Sequence, residues 1–297
     1  MAVTVGLNIW SGLVGATMPY LDAVAAPFES IWFPDHVQYG DKPVAEGWSL
    51  LTFALARYPD KLCGHQVLCN SFRNPAHLAK MTATCQTLSG GRVVLGIGAG
   101  WNEEEYHAYG WPFPKMSVRS AQLAEAIQIC RAMWTQSPAS FTGKHYQIAD
   151  AYCHPHPNPL PPVMVGGSGE KFTLRVVAQH ADWWNYIYQD RETYAQKQAV
   201  LQEHCRVVGR DYAEIVQVTA SNLLVAEHEE AVKKLVEASH VRPVGGNGFA
   251  GTPAQVTERL LTAIDQGAQR INVSFSDTPR LDSTQLFIEE VLPHLSK

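Results

Sequence analysis

Asp35 and His36 close the run Ser30-Ile31-Trp32-Phe33-Pro34. An imidazole beside a carboxylate is the pairing of a general acid/base at neutral pH. Consecutive residues of a strand point to opposite faces, so the two side chains need not touch. The alternative reading is a strand end that caps the next segment.

Two glycine-rich turns carry the next signals. GIGAGWNEEEY (96–106) places Gly96, Gly98 and Gly100 on alternate positions and runs through Ala99 into Trp101. Alternate glycines put small residues on one face of a strand. They serve either tight packing inside a sheet or room for a flat ring or a phosphate chain. VGGSGEK (165–171) sets Gly166, Gly167, Ser168 and Gly169 before a helical pattern. Free N–H groups at a helix start bind anions, and a plain strand-to-helix turn is the alternative. Glu103, Glu104 and Glu105 read as a solvated first helical turn, favoured by the helix dipole. His154 and His156 have no third ligand nearby, so no metal site is expected.

The composition narrows the class. Apolar residues make up 46% of 297, enough for a sizeable core. A net charge of −5 argues against a nucleic-acid or anionic-membrane binder, which needs a basic surface. No stretch is long and apolar enough to span a membrane, and MAVTVGLNIW has no signal-peptide pattern. Six scattered cysteines without a C-x-x-C suit a reducing, cytoplasmic setting.

The elements that must position these residues alternate regularly. Strands are expected over 3–9, 30–35, 61–71, 92–100, 162–169, 181–188, 214–226 and 269–277. Helices are expected over 19–30, 48–58, 75–89, 117–136, 170–180, 191–208, 252–267 and 283–295. Leu123, Ile127, Cys130 and Trp134 show the helical period, and Thr252 and Gly267 read as helix start and stop. Eight strands each followed by a helix imply parallel strands. The fold class is therefore α/β, a single (β/α)8 TIM barrel with insertions in the βα loops, on one domain spanning 1–297. An open doubly wound sheet is the alternative. The longer stretches 101–116, 138–161 and 227–251 read as decoration, the second extended and rigid, the third mobile and lid-like.

Chemistry in such a barrel sits at the C-terminal strand ends. Those ends carry Asn8 and Trp10; Asp35 and His36; Cys69, Asn70 and Ser71; Gly98 to Asn102; Gly166 to Ser168; Trp184, Asn185 and Tyr188; and Ser274, Ser276 and Asp277.

Two long blocks, LAKMTATCQTLSGGRVVLGIGAGWNEEEYHAYGWPFP (78–114) and PPVMVGGSGEKFTLRVVAQHADWWN (161–185), resemble the bacterial luciferase-like family. Weaker matches at 30–36, 72–80 and 251–275 extend the resemblance over most of the chain. The resemblance implies a (β/α)8 barrel that binds FMN or the deazaflavin coenzyme F420 and moves hydride to or from a small-molecule substrate. The ending at Asp35 and His36 is similar to the S-D-H ending of the deazaflavin branch, with Pro34 in place of the small residue. That likeness places both residues by the ring, with His36 facing the substrate. It also implies a non-proline cis peptide at Gln66–Val67, ring contacts from Gln66, Val67 and Asn70, a cofactor tail along Gly98, Ala99, Gly100 and Trp101, and a phosphate at Gly166, Gly167 and Ser168.

One departure bears on the substrate. Sugar-phosphate dehydrogenases of the family carry a glutamate where Trp101 stands, and no lysines or arginine are assignable to a sugar phosphate. Trp10, Trp101, Trp111 and Trp184 suit a flat or apolar substrate, or belong to the core. The expected activity is an F420-dependent oxidoreductase. An FMN-dependent monooxygenase and a non-catalytic flavin-binding protein are the alternatives. The family likeness also implies a homodimer.

Overall fold

The structure is a computed structural model that describes residues 3–238 and 248–295. Its strands are β1 (Thr4–Asn8), β2 (Ser30–Phe33), β3 (Leu62–His65), β4 (Leu68–Cys69), β5 (Val93–Gly98), β6 (Ala139–Thr142), β7 (Gln147–Ala151), β8 (Val163–Gly166), β9 (Trp183–Ile187), β10 (Val216–Val225), β11 (Gly248–Gly251) and β12 (Arg270–Phe275). Its helices are α1 (Thr17–Val24), α2 (Gly47–Arg57), α3 (Pro75–Leu88), α4 (Glu103–Ala108), α5 (Met116–Thr135), α6 (Thr173–His180), α7 (Arg191–Val208), α8 (Glu229–Ala238), α9 (Pro253–Asp265) and α10 (Asp282–Glu290).

The barrel runs β1–β2–β3–β5–β8–β9–β10–β12 and closes where β12 pairs with β1. Every pairing in it is parallel. β4 continues the third stave after the cis peptide Gln66–Val67 and pairs with β5. This is the closed (β/α)8 barrel that the alternation of strands and helices predicts.

Both faces of the staves are covered, so their residues are mainly apolar, and all six residues of β5 are buried. Trp32 fills the base of the barrel with Val94, Met164 and Val218. Glycines make the space for it. A Cβ on Gly64 would lie 2.5 Å from the Trp32 ring, and one on Gly6 would lie 2.5 Å from its indole nitrogen. Leu7, Ile31, Phe33, Leu51 and Ile97 form part of the outer core between staves and helices.

Local chemistry sets the helix starts. Glu46 accepts from the N–H groups of Trp48 and Ser49, and Asn74 caps Ala76 and His77 ahead of Pro75. Thr252 and Gln255 form a capping box ahead of Pro253.

The insertions hold more order than expected. Residues 101–116 contain α4. Residues 138–161 contain the antiparallel hairpin β6–β7, whose turn is held by Glu125 accepting from the N–H groups of Lys144, His145 and Tyr146. Alternation around Gly143 was the available signal, masked by the prolines that follow. In 227–251, α8 and β11 are regular, and β11 pairs with the end of β10. The central glycine-rich part of the expected lid, 239–247, lies outside the described residues.

Candidate active site

Asp35 lies 4% exposed just beyond β2. Its carboxylate accepts from the Cys69 N–H at 2.8 Å and from both terminal nitrogens of Arg73 at 2.7 and 2.9 Å. Arg73 also reaches Glu46, the cap of α2. Burial works against the Arg73 charge, but the bonds and charge of Asp35, with Glu46, outweigh it and hold the guanidinium above its usual range. Against this group sits His65, fully buried and stacked on Trp48 at 5.6 Å. Burial pushes His65 down to about 4, against a smaller opposing pull from Asp35.

His36 turns the other way. Its Nδ1 lies 3.1 and 3.0 Å from the two carboxylate oxygens of Glu105. Its Nε2 has no protein partner among the described residues. Trp10, Tyr39 and Trp101 surround the ring at 5.7, 5.5 and 5.7 Å. Trp101 is 63% exposed, so this pocket opens to solvent. Asp35 and His36 therefore bond to different partners, Asp35 to Arg73 and the Cys69 N–H, His36 to Glu105.

Glu105 overturns the expectation of a solvated acidic turn. Glu103 and Glu104 are exposed, but Glu105 is only 1% exposed. It accepts from the N–H groups of Val37 and Gln38 as well as from His36. Burial alone would raise its pKa; the bond to and charge of His36, then the two N–H groups, hold it below the usual carboxylate range. Its neighbour Tyr106, an aromatic within an acidic turn, was the signal that this helix face points inward.

The alternate glycines of the fourth stave are filled by the protein itself. A Cβ on Gly96 would lie 1.8 Å from the His65 carbonyl oxygen, and one on Gly98 would lie 2.8 Å from Val67. At Gly100, with φ +77°, it would lie 2.0 Å from the Tyr106 hydroxyl. Gly166 also faces Val67, at 2.8 Å. Val67 thus nests between Gly98 and Gly166, and the third stave bulges into the barrel mouth. The Ala99 carbonyl accepts from Tyr106.

Gln66 accepts from Asn185 and Asn272, forming a carboxamide floor. Among the described residues, Asn8 and Asn70 each keep a buried carboxamide oxygen without a protein partner. Gly167, at φ +125°, turns the chain out of β8, and Ser168 follows half-buried. α6 begins at Thr173, later than the glycine loop suggested. Trp184 belongs to the core at 0% exposure, its indole donating to the Gly167 carbonyl. Trp111 stacks on Phe72 at 4.4 Å. Trp10 and Trp101 are the two of the four tryptophans that flank His36.

The luciferase-like monooxygenase family model matches residues 23–270. The chain belongs to that family. Among curated relatives, an F420-dependent glucose-6-phosphate dehydrogenase of Amycolatopsis mediterranei is 33% identical over 159 residues, 52% of this chain and 46% of the relative. The chain thus spans about half the length of such relatives. A pyrimidine monooxygenase of Acinetobacter baylyi is 33% identical over 116 residues, 38% of this chain and 31% of the relative. Among solved structures, an F420-dependent secondary alcohol dehydrogenase in complex with an F420–acetone adduct superposes with TM-score 0.86 at 18% identity, covering 100% of both chains. At that identity the match speaks for the fold.

Proposed function

We propose that this chain is a coenzyme F420-dependent oxidoreductase acting on a small organic substrate, with His36 handling the proton. The observation that carries the reading is the His36 ring at the barrel mouth, tied through Nδ1 and open at Nε2. Several relatives and neighbours are named for F420 chemistry. The residues present fit such a group. Val67 projects between two glycines as a backing for a flat ring, and Asn8 and Asn70 keep carboxamide oxygens free for polar edges. Gln66, Val67 and Asn70 would meet the ring, Gly98 to Trp101 the tail, and Gly166, Gly167 and Ser168 the phosphate.

Bound there, the deazaflavin supplies a hydride donor and acceptor. Beside such a group, protonated His36 Nε2 would give its proton to the oxygen of a reducible substrate, and neutral Nε2 would take the hydroxyl proton of an oxidisable one. Asp35, saturated by Arg73 and Cys69, serves instead to hold the bulge that carries Val67. Trp10, Tyr39 and Trp101 favour an uncharged, apolar substrate.

The same reading takes 1–297 as one domain, a homodimer and a cytoplasmic protein. Support for self-association comes from α2 and α3, which expose Phe53 and Leu88 and carry Arg57 and Lys80 as their charges. Support for a reducing compartment comes from six free cysteines. Among the described residues no helix is long and apolar enough to cross a membrane.

Titration with F420 and with FMN, followed by tryptophan quenching, tests the proposal. Tight F420 binding with weak FMN binding is expected. The reverse would overturn it in favour of an FMN-dependent monooxygenase, assayed by oxygen consumption with reduced FMN. Binding of either without turnover across alcohols, imines and activated alkenes would favour a non-catalytic flavin-binding protein.

A further inference from the structure

α4 is only six residues long, yet it grips three stave ends. Glu104 accepts from the Gln38 side chain at 2.9 Å, and the Tyr109 hydroxyl donates to the Val37 carbonyl at 3.0 Å. Both contacts fasten the segment after β2. The Tyr106 hydroxyl, with one proton to give, lies 2.9 Å from the Ser71 hydroxyl, 3.3 Å from the Ala99 carbonyl and 3.1 Å from the Cys69 thiol. Those contacts fasten the ends of β4 and β5. Glu105 stands in the middle of this clamp, so its carboxylate has little freedom to move.

The bonds of Glu105 are uneven in kind. Two donors, the N–H groups of Val37 and Gln38, are permanent dipoles that stabilise a charge. The third, His36 Nδ1, is titratable. An ionised carboxylate only accepts hydrogen bonds. A neutral imidazole has one N–H and one lone pair, so the nitrogen facing a carboxylate must carry the proton. The lone pair is then forced to Nε2, the nitrogen without a protein partner among the described residues.

We propose that Glu105 is the positioning residue of this site: it locks His36 in the Nδ1–H tautomer, so that Nε2 alone exchanges a proton with the substrate, and it balances the imidazolium charge when that proton is held. The proposal rests on the reading of His36 as the proton carrier, but its main test needs neither cofactor nor substrate. Trp10, Tyr39 and Trp101 pack on the ring, and among the described residues Glu105 is the carboxylate that bonds it.

Two-bond proton–nitrogen NMR correlations on histidine-labelled full-length protein at alkaline pH read the tautomer directly, with His36 assigned through His36→Gln. A single Nδ1–H tautomer is expected. Glu105→Gln presents one acceptor oxygen where the N–H groups and the imidazole compete for it, and the His36 signals should then show the Nε2–H form. Glu104→Gln, altered on the same helix one residue away, should leave the tautomer unchanged and separates loss of the clamp from loss of the carboxylate. If F420 turnover is found, Glu105→Gln should lower kcat about a hundredfold with KM and F420 affinity within about threefold. An Nε2–H tautomer in the parent protein would overturn the proposal, even if no Glu105 variant folds. An unchanged tautomer with unchanged kcat in Glu105→Gln would overturn it as well. Failure to bind F420 would instead strike the functional reading and leave the tautomer result to decide the role of Glu105.

Discussion

Asp35 and His36 are neighbours in the chain, but they enter unlike regions of the barrel mouth. On the Asp35 side the ions pair with one another, while neither ring nitrogen of the buried His65 is hydrogen-bonded among the described residues. The carboxylate has Arg73 and the Cys69 N–H, Arg73 also has Glu46, and His65 is buried beside them. On the His36 side one nitrogen is tied and the other open, under tryptophans that reach solvent. Both regions hold a histidine and carboxylates. The difference lies in access: the ring nitrogens of His65 are sealed in the core, whereas Nε2 of His36 faces a pocket that opens to solvent. A saturated ionic cluster stabilises geometry, whereas a half-satisfied imidazole stays available for proton transfer.

Loss of the open nitrogen is the largest way to sharpen this contrast. His36→Gln should reduce turnover by about 10²- to 10⁴-fold, while the melting temperature and F420 quenching curve stay near the parent values. A comparable loss of stability would erase the contrast.

The converse experiment is Arg73→Leu. It strands the buried Asp35 charge and should cost about 3–5 kcal/mol in urea unfolding. Stability unchanged by this substitution would mean that Asp35 is not held as the distances indicate.

The Asp35 side also sets a pH dependence. His65 sits near 4 when folded, below its ordinary value of 6.5, so the unfolded chain binds the extra proton first. Its stabilising contribution is complete above about pH 6.5 and is lost as pH falls from there toward 4, by up to about 3 kcal/mol. Glu105 and Glu46, both lowered, lose theirs in the same direction at still lower pH. His65→Phe should flatten the stability curve between pH 4 and 6.5, measured by urea unfolding across that range. An unaltered slope would show that His65 is not the responsible group.

The smallest effect is expected at Trp101. Being 63% exposed, it should give up no more than about 0.5 kcal/mol of stability as Trp101→Ala. KM for an apolar substrate should rise several-fold. A large stability loss would place Trp101 in the structural group.

Much of this protein is readable from local chemistry. The alternation of apolar runs with helical periods fixes the number of staves, because parallel strands covered on both faces are mainly apolar and need a crossover between them. Asn74 before Pro75 and Thr252 before Pro253 announce helix starts, since their side chains meet N–H groups within three residues. Asp35 and His36 stand at a stave end for the same reason of local order.

What the chain order could not decide is which polar groups meet across long separations. Glu105 reaches His36 over 69 residues, and Arg73 reaches Asp35 over 38. In an acidic run, three glutamates look alike until packing buries one of them. Alternate glycines read equally as packing or as room for a cofactor until His65, Val67 and Tyr106 are seen against Gly96, Gly98 and Gly100. Backbone propensity and period act over a few residues and are written locally. Desolvation and partner choice depend on what surrounds a side chain once the barrel closes, and only the tertiary structure supplies that.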